Sequence, residues 1–225
     1  VDQALAMLDQ AYQDGSDEIV LTPHLAYPYG FVNPSKKIRS LFDDFQRIVN
    51  EARIPVKLYL GCEFLFDSTD SFYEHLDEIT TYNDTKYLLM EFYFSEEGSK
   101  MLEAVKCVNE NGLIPVIAHP ERYESIQVSN HLAKDLVSAG ALLQMNKGSV
   151  FGKYGSMAKD TVQELLDAHL ISFVGSDGHH PIYRSARLYR DYQFVKEFYG
   201  RAYCEEIFND NAAKMLKNVD IRELK

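Results

Sequence analysis

Cysteine is scarce in this sequence, with three residues among 225, at positions 62, 107 and 204. They are too few and too scattered for a disulfide framework or a cysteine-rich zinc site, which points to a reducing cytosol. Long hydrophobic runs are also missing. No apolar stretch approaches the ~20 residues of a membrane helix, so membrane insertion is not expected. The opening VDQALAMLDQAYQDG is neither basic nor continuously apolar and does not read as a secretory signal. Positive charge is in deficit, with 23 Lys and Arg against 34 Asp and Glu and a net charge of −11. Such a balance repels polyanions and argues against nucleic acid as the main partner, while leaving room for one local basic pocket. No Gly-rich loop follows the first apolar run, which weakens a dinucleotide-binding reading.

What is present is alternation. Short apolar runs rich in β-branched residues recur at 18–24, 56–64, 87–94, 113–119, 141–146 and 170–177. Between them lie stretches with helical spacing. Leu5, Leu8 and Tyr12 mark the first helical face. Ile38, Leu41, Phe42, Phe45 and Ile48 mark the second, after the start signal Asn33-Pro34-Ser35. Met101, Val105 and Val108 mark the third, and Leu132, Leu136 and Val137 the fourth. Val162, Leu165 and Leu166 mark the fifth, and Tyr189, Phe194 and Phe198 the sixth. Strand–helix alternation without hairpin signals predicts an α/β fold of parallel strands joined by crossover helices. With no linker or repeat, residues 1–225 read as one domain. The alternation alone does not separate an open doubly wound sheet from a closed barrel.

The ends of the predicted strands carry unusual side chains. His24 closes the first, Glu63 and Glu91 lie near the ends of the second and third, and His119 closes the fourth. Gln144 and Asn146 end the fifth, and Asp177, His179 and His180 the sixth. In parallel α/β architectures these carboxyl ends share one rim, where active sites form. Clustered carboxylates repel one another, and divalent cations remove that repulsion. Oxygen and imidazole donors without thiolate suit Mn, Fe, Zn or Mg. A salt bridge to Lys or Arg is the ordinary way to bury a single glutamate, but six such residues at strand ends favour a shared site. Cys62 falls on the opposite strand face from Glu63 and reads as structural. His75, His131 and His169 read as surface residues. Arg122 and Arg184 each follow a strand end by a few residues, and a guanidinium fork fits phosphate oxygens.

The segments TPH (22–24), GCEF (61–64), MEF (90–92), IAHPERY (117–123), QMN (144–146) and SDGHH (176–180) resemble the PHP superfamily. Within it the chain is similar to the bacterial metal-dependent protein-tyrosine phosphatases of capsule and exopolysaccharide operons, the CpsB/YwqE group. The resemblance runs along essentially the whole chain, including IFNDNAAKML (207–216). It implies a distorted (β/α)7 barrel with up to three metal ions, most often Mn, at its C-terminal rim. It also implies a cytoplasmic enzyme acting on phosphotyrosine in the tail of a bacterial tyrosine kinase, with homo-oligomerisation left open.

By the same resemblance, Glu63, Glu91 and His119 hold one metal, Glu63 and Asp177 share in a second, and His24 and His179 in a third. Arg122 and Arg184 bind the phosphoryl oxygens, and His180 or a metal-bound water protonates the leaving phenolate. Asn146 lies beside substrate. Apart from the resemblance, Tyr27, Tyr29 and Phe31 follow His24 on a loop, where aromatics beside a phosphate site are placed either to stack on a phosphotyrosine ring or to pack on the barrel or a neighbouring subunit. No arginine stands at Cys-x5-Arg spacing, so a cysteine nucleophile is disfavoured. The family pattern opens with a strand carrying His-x-His and an acidic loop, whereas this sequence begins in the helix that follows. The expectation is therefore weak or no activity for the chain from Val1, and metal-dependent phosphatase activity for a form extended by that strand. Two alternatives stay open: a phosphoesterase for a small metabolite such as histidinol phosphate, and a non-catalytic phosphate-binding relative.

Overall fold

The computed structural model describes residues 1–224. In chain order the elements are α1 (Asp2–Gln13), β1 (Glu18–Leu21), β2 (His24–Leu25), α2 (Ser35–Glu51), β3 (Lys57–Leu60), β4 (Glu63–Leu65), α3 (Thr69–Glu74) and β5 (Tyr87–Glu91). There follow α4 (Gly98–Glu110), β6 (Ile114–Ala118), α5 (Glu124–Val128), α6 (His131–Ser138), β7 (Leu142–Asn146), α7 (Ser156–Asp167) and β8 (Ile171–Gly175). Helices α8 (Tyr189–Tyr199), α9 (Arg201–Glu205) and α10 (Asn211–Leu216) close the chain, with a π-turn over Glu206–Asp210.

The first two predicted strands are each interrupted. Thr22-Pro23 separates β1 from β2, and Gly61-Cys62 separates β3 from β4. Proline has no N–H to give a ladder. The pairing nonetheless runs on in parallel across both breaks. Leu21 pairs with Leu60 before the break and His24 with Glu63 after it, an unchanged offset. The Gly61 amide donates to Leu21 O at 2.9 Å and the Glu63 amide to Pro23 O at 3.1 Å.

From there β4, β5, β6, β7 and β8 follow in strictly sequential order, all parallel. A doubly wound sheet reverses its order at a switch point; this sheet does not, which sets the doubly wound alternative aside and leaves one continuous wall of parallel strands. Both faces are buried. Tyr87 and Leu89 of β5, Ile114 and Val116 of β6, Leu142 of β7 and Phe173 of β8 form an inner cluster, and Val20 of β1 packs against it. Their neighbours Leu88, Met90, Ile117, Leu143 and Met145 pack outward with Val105, Leu136 and Leu165 of the helices. Edge strands β1 and β8 thus share the inner cluster.

This period of two positions the site. Glu91 shares its face with inward Leu89, and Asn146 shares its face with inward Leu142, so both enter the mouth of the wall. Cys62 and Phe64 lie in the outer core, which leaves Glu63 facing in. Strands β6 and β8 then leave the wall through residues in the left-handed region, His119 (φ 38°) and, two residues past β8, Asp177 (φ 47°). For a residue with a Cβ this costs ~1–2 kcal/mol, and such strain collects at functional sites.

Three expectations of the sequence are corrected. Leu41, on the predicted face of α2, is 56% exposed, and the buried positions there are Ile38 and Val49. The sixth helix forms, but Tyr189 and Phe198 on its predicted face are 57% and 66% exposed; the buried positions are Asp191 and Val195. The reason is polar: Asp191 accepts a hydrogen bond from the Gly148 amide at 2.6 Å. His75 is not a free surface residue, because its ring stacks on Tyr27 at 3.8 Å and its Nδ1 lies 3.4 Å from Glu78.

Candidate metal centre and phosphate site

Two carboxylates and two imidazoles form a closed ring at the mouth of the wall. Glu63 Oε1 lies 3.2 Å from His119 Nε2, and its Oε2 lies 3.8 Å from His24 Nδ1. Glu91 Oε1 lies 3.2 Å from His24 Nδ1, and its Oε2 lies 3.6 Å from His119 Nε2. Each carboxylate therefore gives one oxygen to each imidazole. Ligand atoms of Glu63, Glu91 and His119 all lie within 4.8 Å of one another and could hold a metal ion. Ligand bonds of ~2.0–2.2 Å require separations of this order. All three residues are buried or half-buried. The Nδ1 atom of His119 is buried without a hydrogen-bond partner among the described residues, although metal-bound histidines normally engage that second nitrogen.

A second group adjoins the ring. The ring of His179 lies 5.7 Å from that of His24, and its Nδ1 lies 3.3 Å from Asp177 Oδ1. Asp177 Oδ2 accepts a hydrogen bond from Arg184, accepts another from Asn146 Nδ2 at 2.7 Å, and faces Arg122 Nη1 at 3.7 Å. The Arg122 guanidinium sits between two rings, 4.4 Å from Phe94 and 4.7 Å from Tyr154. Two forked cations converge on one carboxylate, so an added anion would meet both.

The sequence-predicted residues His24, Glu63, Glu91, His119, Asp177, His179, Arg122, Arg184 and Asn146 are thus brought together. Asn146 is buried with its side-chain amide turned onto Asp177. His180 stands apart: the Ile182 and Tyr183 amides donate to its Nδ1 at 3.1 and 3.4 Å. That leaves Nε2 as the proton-bearing nitrogen of its neutral ring. Tyr27 turns away from the site, its hydroxyl donating to Glu78. Tyr29 is exposed and meets Tyr93 edge-on at 5.8 Å. The aromatic residue nearest the ring on that loop is Phe31, 5.4 Å from His24. Burial pushes the Cys62 thiol up to about 12, as befits an inert core cysteine.

One residue escaped the sequence reading. Glu121 is fully buried; its Oε1 accepts from the Asn146 amide at 3.0 Å and from Ser149 Oγ at 2.5 Å. It ties the turn bearing His119 and Arg122 to the end of β7, whose Asn146 holds Asp177. Burial pushes its carboxyl up, with the Ser149 and Asn146 hydrogen bonds opposing.

The ring has a definite protonation state without metal. Burial opposes charge on His119, but hydrogen bonds to Glu63 and Glu91 outweigh it and hold the imidazole up at about 9. Burial likewise opposes charge on Glu91, and the hydrogen bonds of His119 and His24 hold it down at about 2. The Glu91 hydrogen bond raises His24. A raised imidazole stabilises the fold fully below its ordinary 6.5, and this is lost as pH rises through about 9. A lowered carboxylate stabilises above its ordinary 4.5, and this is lost as pH falls through about 2. Metal-free protein is therefore expected to draw most stability from this ring between 4.5 and 6.5. A divalent ion must displace the His119 proton, so metal affinity is expected to climb with pH, with proton release, until about 9. Titration calorimetry in buffers of different ionisation enthalpy reads both; pH-independent affinity would contradict the coupling.

A family model described as "Capsular polysaccharide synthesis, CpsB/CapC" matches residues 1–217. The chain belongs to the CpsB/CapC family. Among relatives, it is 28% identical over 222 residues to the tyrosine-protein phosphatase CpsB of Streptococcus pneumoniae, covering 96% of this chain and 90% of that protein. It is 28% identical over 219 residues to the tyrosine-protein phosphatase YwqE of Bacillus subtilis, covering 97% and 85%. A solved structure from work on YwqE and CpsB, described as unique metal-dependent tyrosine phosphatases, superposes with a TM-score of 0.89 at 28% identity, covering 97% of this chain and 87% of that one. The likeness to solved members of the CpsB/CapC family therefore extends over nearly the whole fold.

Proposed function

We propose that this chain is a metal-dependent protein-tyrosine phosphatase. The observation that carries the reading is the adjacency of the Glu63–His119–Glu91–His24 ring to a carboxylate, Asp177, faced by two guanidinia. Glu63, Glu91 and His119 would hold one ion; Asp177, His24 and His179 would contribute to others, with Mn the leading candidate. Bound divalent ions supply an activated water at neutral pH and neutralise phosphoryl oxygens.

The protein's own groups do the rest. Asn146 and His179 orient Asp177, and Arg122, clamped by Phe94 and Tyr154, presents its fork to phosphoryl oxygens. Arg184 completes the clamp from the opposite loop. A phenolate of pKa ~10 leaves readily and needs little proton assistance; His180, whose Nδ1 accepts from the Ile182 and Tyr183 amides, offers its Nε2–H as a hydrogen bond to the leaving oxygen, which takes its proton from water.

A protein substrate, rather than a buried metabolite, is supported by the rim. Tyr29, Phe31, Phe94, Ile182 and Tyr183 are all about half exposed or more. The intended partner is the phosphorylated tail of a bacterial tyrosine kinase serving capsule or exopolysaccharide synthesis. No helix among the described residues is long and apolar enough to cross a membrane. The test compares Mn-supplemented hydrolysis of a phosphotyrosine peptide and of histidinol phosphate, with a chelator control. Faster peptide turnover abolished by chelator is expected. Preference for histidinol phosphate would transfer the site to metabolite chemistry, and binding without turnover would make the chain a phosphate-binding relative.

A further inference from the structure

Although acidic residues outnumber basic ones 34 to 23, the loops after β7 and β8 reverse the balance. Residues 147–159 and 178–190 contain Lys147, Lys153, Lys159, Arg184, Arg187 and Arg190 and no carboxylate. On the other flank, residues 64–85 contain six carboxylates and no Lys or Arg, and among the described residues only Asp84 of the six meets an Arg, Arg39. The site lies between an acidic flank and a basic one.

The two basic loops form one surface. Lys147 Nζ donates to the backbone oxygen of Ser185 and, at 2.9 Å, to its Oγ. The stem of Lys153 crosses Gly148, where an added Cβ would meet its Cδ at 3.0 Å. Its ammonium sits 5.1 Å from the Tyr154 ring that also carries Arg122. Arg190 lies 3.8 Å over Phe151. Burial, then the nearby charges of Lys153 and Arg187, hold the Lys147 ammonium below its ordinary range, against Asp191 and Asp14. Those two carboxylates are already engaged: Asp191 by the Gly148 amide, Asp14 by the Leu188 and Tyr189 amides. Among the described residues no carboxylate pairs with Lys153, Arg187 or Arg190, and all three are exposed.

We propose that this strip seats an acidic polypeptide segment, the carboxylate-bearing flank of the phosphotyrosine that enters the site. The cations do not converge on a point, as a second phosphate pocket would require. Lys153 and Arg190 stand over different rings, Tyr154 and Phe151, so the surface presents a row of single charges suited to spaced Asp and Glu. The acidic flank across the site repels the same segment and fixes its direction. The proposal rests on the phosphatase reading and specifies its substrate class.

The test uses the Mn-loaded protein and its Lys153→Glu/Arg187→Glu variant, neither residue belonging to the catalytic machinery. Turnover is measured on p-nitrophenyl phosphate and on phosphotyrosine peptides with Asp/Glu flanks, neutral flanks, or neutral flanks bearing a second phosphotyrosine. The parent protein is expected to favour the acidic over the neutral peptide in kcat/KM by at least about tenfold, the low end of the ~10–10³-fold gain a focused field gives. That preference should shrink as ionic strength rises from ~0.01 to ~0.15 M and the Debye length falls from ~30 to ~8 Å. The variant should lose the preference while keeping p-nitrophenyl phosphate turnover. Equal kcat/KM for acidic and neutral peptides, an unchanged preference in the variant, or a gain conferred only by the second phosphotyrosine would overturn the proposal. So would a parent protein that self-associates through the strip, seen by light scattering as a larger species lost in the variant. Absent turnover on every substrate would count against the phosphatase reading alone; fluorescence anisotropy with the acidic peptide would then still decide the strip, with binding by the parent and none by the variant expected.

Discussion

Glu63→Gln is expected to lose bound metal and phosphatase turnover together while keeping its fold. Glu63 is buried at 6% exposure and gives one oxygen to each imidazole of the ring. The amide keeps the shape but replaces one of those oxygens with an NH2 group, which donates and does not ligate. Groups one bond behind a ligand typically cost ~10–100-fold when changed, so loss at a ligand should exceed that range. The fold is spared because the strand is held by its backbone and by neighbours facing the other way. His24 pairs with Glu63 and Glu63 with Leu89 in the ladders, while Phe64 fills the outer core. Elemental analysis, p-nitrophenyl phosphate turnover and far-UV circular dichroism separate the outcomes. Cys62→Ala is the control: it deletes an outer-core atom one residue away and should lower stability with metal content retained. Unchanged metal content in Glu63→Gln would remove Glu63 from the ligand set.

That contrast between adjacent residues shows what the sequence makes legible. A period of two assigns Cys62 to the helices and Glu63 to the mouth of the wall, and the same rule sends Glu91 and Asn146 inward. Six polar strand ends on parallel strands then have to meet, whichever helices join them. The sequential strand order, by contrast, is a tertiary fact that alternation does not specify. Where the chain turns, the rule fails. Tyr27 lies in a short 3-10 turn with Pro28, closed by Gly30 at φ 76°, and this geometry sends its hydroxyl to Glu78. Glu121 follows His119 at φ 38°, and the tight turn folds its carboxylate beneath β7 instead of out to solvent beside Arg122. The buried face of α8 departs from its apolar spacing because an aspartate, Asp191, occupies it to bind a backbone amide. Each of these is a polar side chain satisfied by a partner distant in sequence, which no local periodicity encodes.

Arg122→Ala is expected to reduce turnover strongly with metal content intact, the reverse pairing to Glu63→Gln. Arg122 touches none of the four ring residues through an ion pair; its nearest carboxylate is Asp177, at 3.7 Å. Asp177 has closer partners in Arg184 and Asn146, so removal of Arg122 leaves it held. What disappears is a preorganised cation. Phe94 and Tyr154 grip the guanidinium from two rings, 4.4 and 4.7 Å away, so its fork is set before substrate arrives. Such groups act where charge develops in the transition state, and loss of one donor typically lowers kcat ~10²–10³-fold. Arg122→Lys should recover little of this, because an ammonium is a point charge that neither spans two phosphoryl oxygens nor stacks as a flat plate between rings. Phe94→Ala should fall between the two, loosening the clamp without removing the charge. Steady-state kinetics on p-nitrophenyl phosphate, with metal analysis of each variant, reads the series. If Arg122→Ala lost metal in step with activity, the residue would belong to the structure of the metal centre and not to recognition of the phosphoryl group.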